Sequence, residues 1–171
     1  IPLFELNDHK MYLAGHIDRV VEFLGDIYLL DYKTTKGQLN DSFFSGFKPH
    51  VQVQGYLIAA HVLAGSTSSI PREPRGMIID GIQLGVTFTR FQRSIVQYTP
   101  LEVESCLADL EYWFKLAAMF TESDHYPANE TACSNYGGCV FQSICSTTPP
   151  KRQKMLDSGF ARQTWDCSQS R

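Results

Sequence analysis

The chain is 171 residues long, 43% hydrophobic and 12% aromatic, enough for one globular domain with a real core and too apolar for a disordered tail. Fifteen basic against eighteen acidic residues leave a net charge of −3, which excludes the bulk positive field of a duplex-coating protein and confines any nucleic-acid contact to a local site. The longest apolar run, Tyr56 to Ala64, is interrupted by His61 and falls far short of the ~20 residues of a membrane span, so a soluble, cytoplasmic protein is expected.

Residues Met11 to Thr34 alternate and are rich in Val, Ile, Leu, Tyr and Phe around Gly25-Asp26, which predicts two strands joined by a two-residue II′ hairpin turn. The run Val51 to Ala64, with Pro49 ahead of it and Gly65 behind, predicts a helix, and Gly65 to Gly76 a surface loop. Met77 to Thr89 and Arg93 to Tyr98 predict a second antiparallel pair. Thr99-Pro100-Leu101-Glu102 is a capping box with Pro at the first helical position. The helix it opens carries Val103, Cys106, Leu107, Leu110, Trp113, Phe114, Ala117 and Phe120 at three-and-four spacing, one buried stripe that ends near Ser123. Beyond Asp124 periodicity stops, and a segment with three of the five cysteines leads into a polar tail with Pro149-Pro150 and Trp165. The expected fold class is α/β, a central mixed β-sheet flanked by helices, with residues 1–123 as the core and 124–171 as a cysteine-containing C-terminal segment.

With the turn at Gly25-Asp26, Leu24 faces Ile27, Asp18 faces Lys33 and Val20 faces Asp31. Alternation then puts Asp18, Asp31 and Lys33 on one face with His16, Val20, Leu24, Ile27 and Leu29, with Ile17, Val21, Phe23, Tyr28, Leu30 and Tyr32 on the other. Asp31 is diagonal to Asp18, roughly 7–8 Å away between backbones. Charges on such an apolar sheet persist where they pair or bind an ion. Two carboxylates with the backbone carbonyl of Tyr32 at the sheet edge are the hard oxygen donors that Mg²⁺ or Mn²⁺ prefers. Lys33 would then position or deprotonate a water, or stabilise phosphoryl charge. The alternative is a strand-end salt bridge between Asp18 and Lys33 with Asp31 solvated.

Gly15-His16-Ile17-Asp18, Asp31-Tyr32-Lys33 and Gln52-Val53-Gln54-Gly55-Tyr56 together resemble the PD-(D/E)XK nuclease superfamily, and within it the RecB-like exonucleases, many of them phage-encoded. There a G-x-x-D strand, a D/E-x-K strand and a Q-x-x-x-Y helix follow in this order. The resemblance implies a restriction-endonuclease-like core, metal ligation by Asp18 and Asp31, a catalytic role for Lys33, and a supporting or DNA-contacting role for Gln52 and Tyr56, which share a helix face four residues apart. It also implies a helix before the first strand that this sequence lacks. Since the sequence opens on Ile1, residues upstream are expected to have been cut away.

Cys133, Cys139 and Cys145 resemble the C-terminal trio of the iron-sulfur branch of these nucleases, although the commoner C-x2-C-x5-C spacing is not kept. The fourth ligand of a cluster would lie upstream or be Cys167. A structural zinc completed by Cys167, or three free thiols in a reducing compartment, are the other readings. The expected function is a Mg²⁺- or Mn²⁺-dependent DNA exonuclease that hydrolyses phosphodiester bonds by metal-activated water, in the cytoplasm of a bacterium or phage-infected host. Its substrate would be DNA that is single-stranded or has a free end, and a helicase or recombination protein its partner, with no membrane involved. The competing reading is a non-catalytic nucleic-acid-binding module that keeps the nuclease fold within a helicase-nuclease assembly.

Overall fold

Asn7 and Asp8 both take positive φ, 49° and 62°, the backbone of a tight I′ turn. They fold the first residues into an antiparallel ribbon of β1 (Pro2–Leu6) and β2 (His9–Tyr12). This ribbon was not expected, because its strands are short and mix polar with apolar residues. The computed structural model describes residues 1–164, apart from the side chain of Tyr136. It divides into two compact units, Ile1–Lys115 and Leu116–Arg171.

The first unit is built on a four-stranded sheet of β3 (Arg19–Phe23), β4 (Asp26–Thr35), β5 (Gly76–Leu84) and β6 (Thr89–Val96), in that spatial order. The two outer pairings are antiparallel and the central β4–β5 pairing is parallel, so the sheet is mixed. Between β4 and β5 the chain forms α1 (Asp41–Ser45), capped by Asn40 Oδ1, which accepts the Phe43 N–H at 3.0 Å, and the crossover helix α2 (Val51–Leu63).

The β3–β4 turn corrects the expected register. It is made by Leu24 and Gly25, with φ of 52° and 83°, not by Gly25 and Asp26. Val20 therefore lies opposite Leu29 instead of Asp31. The slip is two residues, an even number, so Asp31 and Lys33 keep their expected face. Leu29, Met77, Ile79 and Val53 are the largest fully buried side chains. They form the core between the sheet and α2 together with Phe44, Phe47, Ala60 and Val96. On the opposite face Tyr28, Leu30 and Ile78 pack with Val21.

β6 begins four residues earlier than expected, since the exposed Thr89-Arg90-Phe91-Gln92 conceals its alternation. The capping box opens α3 (Pro100–Glu122). Glu102 accepts the Thr99 N–H at 2.7 Å, and its own N–H is donated to Thr99 Oγ1 at 3.3 Å. Cys106 is buried as expected, and burial pushes its thiol pKa up. Trp113, however, is 63% exposed and Ala117 is also exposed, so the buried stripe is narrower than the sequence spacing suggests.

The second unit contains the end of α3, two single 3₁₀ turns at Glu130–Ala132 and Asn135–Gly137, α4 (Gln142–Cys145) and α5 (Pro149–Gly159). Phe141 stacks on Phe160 at 4.9 Å, and Arg152 ties α5 to α4 through the carbonyls of Cys145 and Thr147. Trp165 and Cys167 lie outside the described residues. Among the described residues no helix is long and apolar enough to cross a membrane.

Candidate active site

β4 carries Asp31 and Lys33 two residues apart, hence on one face, and that face looks onto α2. Asp31 is only 3% exposed. The Lys33 ammonium lies 2.6 Å from Asp31 Oδ2 and donates to Gln52 Oε1 at 2.9 Å. With its oxygen turned to the ammonium, the Gln52 amide donates through Nε2 to the Tyr56 hydroxyl oxygen at 3.2 Å. Asp31, Lys33, Gln52 and Tyr56 thus form one chain of contacts from the centre of the sheet to the first turns of α2. The helical i, i+4 spacing of Gln52 and Tyr56 makes the last link.

The start of α2 is itself clamped. Tyr98 accepts the His50 N–H at 3.0 Å and donates to the Phe47 carbonyl at 3.1 Å. Lys48 reaches the Gln97 carbonyl at 2.7 Å and the Glu102 carboxylate at 2.9 Å. Burial pushes the Tyr98 pKa up, while hydrogen bonds from the Thr99 N–H, Lys48 and the Thr99 hydroxyl hold Glu102 at about 2. These contacts fix the helix end from which Gln52 reaches Lys33.

Asp18 stands apart from this chain. It lies one residue beyond the last β3–β4 pair, Arg19↔Leu30, is exposed, and makes no hydrogen bond or ion pair among the described residues. The ion pair the structure holds is Asp31–Lys33, not the Asp18–Lys33 pair weighed from the sequence. Strict alternation also fails upstream of β3, because Ile17 packs into the same core as Val20 and Leu29. His16 is exposed. The segment still runs against the site: a Cβ on Gly15 would sit 3.4 Å from the Tyr56 ring.

The donors suit a hard divalent cation. Asp31 Oδ2 is fully buried and accepts no hydrogen bond, because Lys33 approaches it closely but off the hydrogen-bond direction. A buried carboxylate oxygen with a lone pair unused is costly unless something else meets it. β4 also outruns β3, so from Asp31 onward its β3-facing edge, where Tyr32 sits, has no strand partner among the described residues. Among the described residues no three His, Cys, Asp or Glu side chains come together as a metal-holding group, either around Asp31 or among the thiols. Cys133 and Cys139 are half-buried, joined by a Cys139 N–H to Cys133 carbonyl bond of 2.9 Å, and Cys145 is exposed.

Sequence reasoning passed over two buried polar residues of β5, Asp80 and Gln83, which are 5% and 6% exposed. The signal was present: each is a lone polar residue in the otherwise apolar run Gly76–Leu84. Asp80 faces away from α2 and accepts from Arg93 at 2.9 Å.

No curated protein sequence matches the chain. The profile of the PD-(D/E)XK nuclease superfamily matches residues 3–146, a span that includes the whole sheet, the Asp31–Lys33 strand and α2. Superfamily members are generally nucleases that use divalent metals, and the mixed sheet with flanking helices is their restriction-endonuclease-like α/β fold. By sequence and by fold, the chain belongs to the PD-(D/E)XK nuclease superfamily.

Proposed function

We propose that this nuclease is a Mg²⁺- or Mn²⁺-dependent deoxyribonuclease that removes nucleotides from a free end of single-stranded DNA. The observation that carries the reading is the linked Asp31–Lys33–Gln52–Tyr56 array with one buried carboxylate oxygen left open. The Q-x-x-x-Y spacing on α2, shared with RecB-like exonucleases, favours action at an end. Asp31 and Asp18, with the Tyr32 carbonyl at the open strand edge, are the groups that would hold the ion. When bound, it supplies Lewis-acid polarisation of the phosphoryl oxygens and lowers the pKa of water.

The chain's own residues do the rest. An ammonium has three donors; Lys33 gives one to Gln52 and meets Asp31 as an ion pair, so donor capacity is left for a phosphate oxygen or the attacking water. Held from both sides, it meets developing negative charge without reorganising. Gln52 keeps Lys33 in place. Because Tyr56 accepts from Gln52, its own O–H is free to donate to the backbone of the bound strand.

The test uses linear single-stranded, linear duplex and circular single-stranded DNA with Mg²⁺, Mn²⁺ or EDTA. Linear single strands are expected to shorten from an end in either metal, with circles intact and EDTA stopping the reaction. Hydrolysis in EDTA overturns the metal role, and cleavage of circles overturns action from an end.

A further inference from the structure

The sheet face that carries Lys33 continues sideways into a second, polar site. By register Lys33 lies beside Gly81, and Thr35 beside Gln83; across the next strand Gly81 faces Gln92 and Gln83 faces Arg90. These residues therefore share the Lys33 face. Gln83, Arg90 and Gln92, joined by Gln38, Leu39 and Phe91, line an open cleft of about 500 Å³, a size typical of small-molecule sites. Leu39 forms an apolar wall: it is seated over Gly81, where a Cβ would meet its Cδ2 at 2.8 Å.

Gln83 is the unusual member. It is only 6% exposed, yet its side-chain amide makes no hydrogen bond among the described residues and opens onto the cleft. Its amide nitrogen and oxygen are not sealed off but reach the cleft, so water meets them in the free protein and a ligand group with a matching donor and acceptor can take that water's place. The cleft has no acidic residue in its lining, and three of its side chains are neutral amides that offer a donor and an acceptor together. A phosphate would use only the donors. The edge of a nucleobase uses both, and glutamine pairs in this bidentate way with adenine in particular.

We infer that this cleft seats a nucleobase of the substrate strand, with Gln83 reading its edge beside the Asp31–Lys33 centre. The inference rests on the nuclease reading above and adds to it a base preference. The backbones of Lys33 and Gln83 are roughly 8 Å apart by strand spacing and rise, within reach of neighbouring nucleotides on one strand. Arg90, whose guanidinium carbon lies 4.8 Å above the Phe88 ring and which has no ion-pair partner among the described residues, is placed at the rim to contact the backbone.

The experiment measures binding of labelled oligo-dA, oligo-dC and oligo-dT by fluorescence polarisation in EDTA, and in parallel sequences the ends produced by Mn²⁺-dependent cleavage of a randomised pool. Wild type is expected to favour oligo-dA by about tenfold and to leave the same bias near the cut ends. Gln83→Leu should erase the bias in both the polarisation and the cut-end measurements. Equal binding of the three homopolymers by wild type, or a bias unchanged in Gln83→Leu, overturns the inference. If Gln83→Leu does not fold, the exposed rim variant Gln92→Ala decides: a bias reduced supports the cleft, and a bias intact overturns it. Absence of hydrolysis by wild type overturns the nuclease reading alone, because the polarisation arm still judges the cleft.

Discussion

Asp31 on β4 and Asp80 on β5 are both buried, on adjacent strands, and look out of opposite faces of the same sheet. Each has a cation beside it, but the two charges are met differently. Asp80 Oδ2 accepts a hydrogen bond from Arg93 at 2.9 Å, and that bond, before any other influence, holds the Arg93 guanidinium further up its already high pKa. Lys33 comes even closer to Asp31, yet leaves Oδ2 without a hydrogen bond and spends its own donor on Gln52. A buried carboxylate that is fully answered by its neighbour is part of the framework. One that is answered only in part retains bonding capacity for a ligand. Burial and proximity to a base, the features most easily tabulated, are the same for both; hydrogen-bond closure separates them.

The sharpest way to break this contrast is to remove the charges on the open side. Asp31→Ala and Lys33→Ala are expected to lower DNA hydrolysis by about 10³-fold or more, with circular dichroism and Tm close to wild type; Asp18→Ala should follow if it completes the ion site. Loss of the fold in these variants would place Asp31 with Asp80 as a structural residue. Next in size, Gln52→Leu should reduce kcat by about 10- to 100-fold with a smaller change in KM, because Lys33 loses its second anchor. Tyr56→Phe, which deletes the hydroxyl that accepts from Gln52 together with its free O–H, should cost about fivefold in kcat/KM.

Asp80→Asn inverts the pattern: Tm drops by a few degrees while hydrolysis per folded molecule is retained. The smallest effect belongs to a closed carboxylate at the surface. Glu102 is held at about 2 in the folded protein against an ordinary 4.5, so its contribution to stability is present above pH 4.5 and disappears as the pH falls toward 2. Glu102→Ala should therefore lower Tm slightly at pH 7 and leave it unchanged near pH 2.

That Asp31 and Lys33 share a sheet face was legible because only parity was needed, and parity survived a wrong turn; their ion pair was not, since the sequence pointed Lys33 at Asp18. The true Leu24-Gly25 turn puts a leucine at positive φ, a conformation no sequence rule assigns to leucine, so the register came out two residues away. That Gln52 and Tyr56 meet on one face of α2 followed from helical spacing, whereas their relation to Lys33 was suggested only by the family resemblance. What the sequence could not carry was the link between them: that Gln52, and not Asp18, takes the free side of Lys33 depends on how α2 crosses the sheet, and the Tyr98–His50 and Lys48–Glu102 contacts that set this crossing join residues about 50 positions apart. Asp80 and Gln83 show the same limit. Each stood out as polar in an apolar run, but whether a buried polar group is satisfied is decided by strand β6, which sequence reading began too late.

The parallel seam between β4 and β5 has a consequence for the order of assembly. The pairs β3–β4 and β5–β6 are each closed by short turns, whereas β4 and β5 can meet only after residues 36–75 have been looped back, and closing so long a loop delays the contact it serves. Asp31 and Lys33 belong to one hairpin, and Gln83, Arg90 and Gln92 to the other. A chain halted before β5 already contains Asp31 and Lys33 but lacks Ile79, the register neighbour that helps to enclose Asp31. Chemistry and cleft therefore share a sheet face only once that late seam has closed, and a partly made chain holds the ingredients of a nuclease without its centre.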